Sequence, residues 1–154
     1  MSFRIRGLGP AQFEPLFALD DAALAERSMR RVAIDAPASA PCRISLEDAE
    51  PGEQVLLIPF AHHMAHSPYR ASGPIYIRQG RRDAFDRVGE LPPVFKGRIL
   101  AVRAYDAGGM MLDADIADSD PRALFETFLA DPATDYLHVH FARRGCYSCL
   151  VERA

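Results

Sequence analysis

The amino-acid sequence predicts an α+β fold: a mainly antiparallel sheet with two or three helices packed on one face. Segments of strand character outnumber those of helical character. Most of the connections between them are short enough for hairpins. Within the strands apolar and polar residues alternate, which buries one face and calls for helices to cover it.

Taken in order, Phe3-Arg-Ile-Arg6 alternates as a half-buried strand does. Gly9-Pro10 opens a short helix with proline in the first position, and Phe13, Leu16 and Phe17 share one face of it. Asp20 or Asp21 caps a second helix that runs to about Arg27. Arg31-Val-Ala-Ile-Asp35 reads as a strand. The stretch from Ala36 to Gln54 is rich in Pro, Ala, Ser and acidic residues, with a brief strand at Cys42-Arg-Ile-Ser-Leu46 and a turn at Pro51-Gly52. Val55-Leu-Leu-Ile-Pro-Phe60 is apolar throughout, which predicts a central strand covered on both faces. Ile75-Tyr-Ile-Arg78 alternates again, whereas Gln79 to Gly97, polar and carrying Pro92-Pro93, predicts a long surface excursion.

Ile99–Tyr105 and Met110–Ile116 flank Asp106-Ala-Gly-Gly109, the clearest hairpin signal in the chain. Asp120-Pro121 starts a helix to about Ala130 that turns Leu124, Phe125 and Phe128 to the core. Asp135–Phe141 and Cys149–Arg153 form a last pair of strands.

A chain of 154 residues has the length of one domain, and residues 1–154 are read as one. Its hydrophobic fraction of 49% supports a conventional core. A net charge of −3 argues against the basic surface of a nucleic-acid binder. No apolar run reaches the ~20 residues of a membrane span, so no membrane partner is expected. Met1-Ser-Phe-Arg-Ile-Arg-Gly7 lacks the apolar stretch of a signal peptide, which predicts a cytoplasmic protein with reduced thiols at its three cysteines. Lys96 is the only lysine against seventeen arginines, a bias that suits a GC-rich genome as well as it suits bidentate grips on carboxylate or phosphate.

Four groups of residues can carry chemistry. In His138-Val-His140 the two imidazoles share one strand face, while Leu137, Val139 and Phe141 take the other and read as core. With Cys146 and Cys149 they form a donor set for zinc, or a Cys–His nucleophile with Cys146 as thiolate and His140 or His138 as base. Which thiol joins them depends on the turn. Two residues at Arg144-Gly145 put Cys149 opposite His140, and a three-residue loop with a glycine bulge turns Cys149 to the far face. No resident cofactor is predicted, zinc being the one metal the set suits.

His62-His-Met-Ala-His66 has the i, i+4 spacing of a helical metal pair but lacks the glutamate of the zinc-protease pattern, and after Pro59 it reads as a mobile loop. Ser67-Pro-Tyr-Arg-Ala-Ser-Gly-Pro74 is a proline-bounded loop in which Tyr69, Arg70 and Ser72 could hold a carboxylate or phosphate, or else bond their own backbone. Asp113-Ala-Asp-Ile-Ala-Asp-Ser-Asp120 sets alternate carboxylates on one strand face, which reads as solvated acidic surface.

Four segments together resemble an uncharacterised bacterial family, domain of unknown function 1203. They are Cys42–Glu53, Ser67–Pro74, Gly109–Asp115 and His138–Cys146. The resemblance covers nearly the whole chain and implies a single-domain protein, without an activity. Cys149 and His62-His63 depart from the family pattern. The function expected from the residues is binding of a small anionic ligand or a protein partner. The alternatives are a Cys/His-dependent or metal-assisted enzyme at His138, His140 and Cys146, and a homo-oligomer, in the simplest case a homodimer, without a small-molecule site.

Overall fold

A computed structural model describes residues 2–80 and 82–154. Its strands are β1 (Phe3–Arg6), β2 (Arg30–Ala33), β3 (Gln54–His63), β4 (Ala71–Arg78), β5 (Asp86–Val88), β6 (Leu100–Tyr105), β7 (Met111–Ala117), β8 (Tyr136–Phe141) and β9 (Tyr147–Arg153). The helices are α1 (Glu14–Phe17), α2 (Asp21–Glu26) and α3 (Arg122–Ala130). The fold is α+β and its strand pairs are antiparallel, in two sheets. One has the order β5-β1-β9-β8-β6-β7 and the other β2-β3-β4.

Each sheet carries helix on one face. Leu100, Val102, Leu137, Val139 and Val151 of the larger sheet bury against Phe125, Phe128 and Leu129 of α3, with Phe3 and Phe125 edge to face at 5.2 Å. In the smaller sheet, Leu56, Ile58, Ile75 and Ile77 meet Phe13, Leu16 and Leu24 from the α1–α2 region. Asp20 caps α2 by accepting from the Ala23 amide at 2.8 Å, as the sequence implies. β3 is the middle strand of its sheet, and neighbouring Val55 and Leu56 are both fully buried. The helix-free faces look inward to each other, and the polar chemistry of the chain collects between them.

Three stretches differ from the sequence expectation, each because another segment supplies the partner. Cys42–Leu46 is a turn tied by isolated bridges, Cys42 to Tyr76 and Pro41 to Asp48. The excursion from Gln79 to Gly97 gives β5 to the sheet edge and sinks Val94 and Phe95 into the main core. The expected loop after Pro59 continues as strand through His63, because β4 returns antiparallel beside it. No helix among the described residues is long and apolar enough to cross a membrane.

Asp113 and Asp115 of the acidic run lie on β7, an edge strand with Leu112 and Ile116 exposed, and Asp118 and Asp120 follow its end. Asp113 accepts from the Ala114 amide and Asp115 from the Ile116 amide, at 2.8 and 2.7 Å. These carboxylates occupy backbone donors that an incoming strand would use, which blunts the edge. The double variant D113A/D115A should therefore associate: light scattering should rise with concentration well above that of the unaltered protein, and an unchanged profile would refute edge protection.

Candidate functional site

The residue around which the site is built is Arg43, in the segment between β2 and β3. Its backbone is pinned from two sides: its amide donates to the Tyr76 carbonyl at 3.1 Å, and its carbonyl accepts from Leu8 at 2.7 Å. Gly7 makes the second contact feasible, since a Cβ there would lie 2.0 Å from the Ile44 carbonyl oxygen. The side chain then runs between the sheets, 2% exposed, and Nε donates to the Tyr147 carbonyl at 2.7 Å while Nη1 donates to that of Pro41.

No carboxylate pairs with this guanidinium among the described residues, and Nη2 has no protein partner there. Burial pulls Arg43 down to about 10, with the neighbouring thiols Cys146 and Cys42 opposing, so it stays a cation at neutral pH. A buried charge without a counter-charge is costly. Arg43 lines a cleft of about 380 Å³ together with Arg98, Arg143, Arg144, Tyr76 and Cys146. Arg98 is neutralised by Asp48 at 2.7 and 2.9 Å. Arg143 and Arg144 are exposed and make no ion pair among the described residues. Phe141 forms an aromatic wall, with the Arg43 and Arg98 guanidinium carbons 5.0 and 5.2 Å from its ring centre. On a chain of net charge −3, this is a locally cationic recess of small-ligand size.

Behind it lies a cluster of histidines and tyrosines. His138 and His140 share the inner face of β8, as alternation requires, and are 5% and 1% exposed. β3 brings His62 and His63 to them. Adjacent strand residues normally face opposite ways, but an extra residue between the Phe60–Gly73 and His63–Ala71 pairs bends the strand. Both rings consequently reach the cluster, His62 at 5.1 Å from His140 and His63 at 5.2 Å from His138. Two more irregularities flank the same place, between Ala104 and Tyr105 on β6 and between Val139 and His140 on β8.

Hydrogen bonds assign two of the rings. His63 Nδ1 donates to the Tyr69 carbonyl at 2.8 Å, and its Nε2 shares a hydrogen bond of 2.6 Å with the Tyr136 hydroxyl. His140 Nδ1 donates to the Gly145 carbonyl at 2.9 Å, and its Nε2 is buried without a protein partner. His62 Nδ1 and His138 Nδ1 are likewise unpartnered. Desolvation, with Arg103 and the other imidazoles adding repulsion, lowers His138 to about 3 and His140 to about 4. Desolvation also raises Tyr136 to about 12. His138 and His140 are thus neutral at physiological pH.

The hairpin register that the sequence leaves open is decided by a bulge. Phe141 and Cys146 close a four-residue turn, Gly145 standing at φ +79°, and Ser148 is then the extra residue. His140 faces Tyr147, and Cys149 pairs with Val139 inside the main core. Cys146 emerges in the arginine cleft, its thiol directed to the Arg144 carbonyl at 3.9 Å. His138, His140, Cys146 and Cys149 therefore do not converge. Among the described residues no three His, Cys, Asp or Glu side chains are grouped to hold a metal ion.

Of the loop candidates, Tyr69 joins the cluster through its carbonyl and through its ring, 6.3 Å from Tyr105. Arg70 donates to the Met64 carbonyl at 2.6 Å, and Ser72 is exposed on β4, so the three do not share the Arg43 cleft. His66 is exposed and forms no helical pair with His62. Arg43 was not singled out by the sequence. The available signal was a lone arginine between apolar Cys42 and Ile44.

No curated protein and no solved structure matches the chain. Residues 39–153, which hold Arg43, the four clustered histidines and Cys146, match the family described as protein of unknown function, DUF1203, and the chain belongs to that family.

Proposed function

We propose that this protein binds a small anionic ligand, a carboxylate or a phosphate, in the arginine-lined cleft. The observation that carries the reading is Arg43: a buried cation, held by backbone carbonyls on two nitrogens, with its third nitrogen and its charge uncompensated. An anion there would supply the missing counter-charge and accept from Nη2, with Arg143 and Arg144 closing over it. The imidazole cluster supports the cleft from behind, because Tyr147 both offers its carbonyl to Arg43 and stacks its ring on His62 at 5.4 Å. Such a binding role fits a cytoplasmic protein whose thiols stay reduced.

The test is calorimetry and thermal melting of the full chain with inorganic phosphate and with succinate, against chloride at equal ionic strength. Binding should be at least ~10-fold weaker in Arg43→Gln and in the surface variant Arg144→Glu, since charge-assisted hydrogen bonds are each worth over 1.4 kcal/mol. Neither anion exceeding chloride would overturn the reading.

A further inference from the structure

The three thiols have different surroundings. Cys42 and Cys149 are 0% exposed, and burial pushes the Cys149 thiol up to about 12. Cys146 is partly exposed and faces both the arginine cleft and an adjoining recess that it shares with Arg43, Arg144 and Tyr76. The guanidinium groups of Arg43 and Arg144 line both of these recesses and that of Arg143 lines the cleft, and none of the three has a carboxylate partner among the described residues.

We infer that Cys146 is a site of reversible thiolation selective for anionic disulfides, those whose ends carry carboxylates. The inference deepens the anion-binding reading of the cleft and rests on it. Cys146 loses its proton to solvent and the thiolate attacks one sulfur of the disulfide. The sulfur–sulfur bond breaks, a mixed disulfide forms on Cys146, and the other half leaves as a thiolate that takes a proton from water. Cys146 is oxidised and the departing sulfur reduced, so no other oxidant is needed. The arginines raise the local concentration of the anionic reagent and stabilise the leaving thiolate.

Two consequences follow from the geometry. The attached group fills the cleft, so thiolation and anion binding exclude each other. Cys149 lies on the opposite face of β9 and Cys42 is sealed, so neither can displace the adduct, and only an external thiol restores Cys146.

Mass spectrometry of the full chain with oxidised glutathione, an anionic disulfide, and cystamine, a cationic one, tests this. A single adduct on Cys146, absent in Cys146→Ser, should form at least ~10-fold faster with oxidised glutathione at low salt. The preference should collapse in Arg143→Ala/Arg144→Ala and at about 0.5 M salt, where charges are screened beyond a few ångströms. Equal or faster reaction with cystamine, or labelling at Cys42 or Cys149, overturns the inference. Phosphate binding is read separately on the unaltered chain before any disulfide is added. Binding there with no disulfide preference rejects thiolation alone, whereas no binding with the preference intact rejects the ligand reading and leaves Arg143 and Arg144 as the source of selectivity.

Discussion

Acidification from neutral pH to about pH 5 should cost the folded protein roughly 4 kcal/mol, about 2 from each of His138 and His140. In the unfolded chain these imidazoles titrate near ~6.5. In the fold they titrate at about 3 and about 4, because burial disfavours the cation and no carboxylate compensates it. The groups that face them are His62 and His63 from β3, Arg43 from the segment between β2 and β3, Arg103 and Tyr105 from β6, and Tyr136 and Tyr147 from their own hairpin. As pH falls below ~6.5 the unfolded state takes up protons that the folded state refuses, so stability falls, continuously, until the folded values are reached. Carboxylates such as Asp86, held below its usual range by the hydrogen bond from Arg4, enter only at lower pH. Urea midpoints across this window measure the slope directly. It should flatten in His138→Gln/His140→Gln, and a midpoint that does not move between neutral pH and about pH 5 would show that the imidazoles are not buried as neutral groups.

Gly7→Ala should be severe for a residue so far from the cleft in sequence, destabilising by roughly 2–3 kcal/mol as overpacking against rigid groups does. The added methyl would sit 2.0 Å from the Ile44 carbonyl oxygen and 3.0 Å from that of Arg43. Both are backbone atoms already committed, Ile44 accepting from Phe85 and Arg43 from Leu8, so neither can move without breaking a bond. Relief requires the Arg43 segment to retreat from β1, which takes the guanidinium off the Tyr147 carbonyl. The variant should therefore lose phosphate-dependent stabilisation although every cleft side chain is intact. Urea denaturation with and without phosphate reads both effects, and full retention of both would refute the positioning of Arg43 by Gly7.

Much of the larger sheet was legible in the sequence because its signals are local. Period-two alternation separated His138 and His140 from Leu137, Val139 and Phe141, and the Asp106–Gly109 turn announced the β6–β7 hairpin. The Asp20 cap and the apolar face of α3 depend on residues three or four apart. The turn before Cys146 was local too, but its register was not, since the bulge at Ser148 is selected by which side chains the core and the cluster accept.

The candidate site is a different matter. The sequence by itself determined that two histidines share a strand face and that the chain's basic residues are nearly all arginine. It also held the family resemblance that the match over residues 39–153 bears out. Tertiary structure alone decided which arginine is buried and which histidines meet. Arg43 reaches a carbonyl 104 residues away, and His63 a hydroxyl 73 residues away. Such contacts leave no periodicity behind, because they depend on how two sheets stack and on single extra residues in β3 and β9. Two imidazoles assigned to a loop thus became part of a buried cluster, and the cationic centre fell on a residue whose neighbours in sequence are apolar.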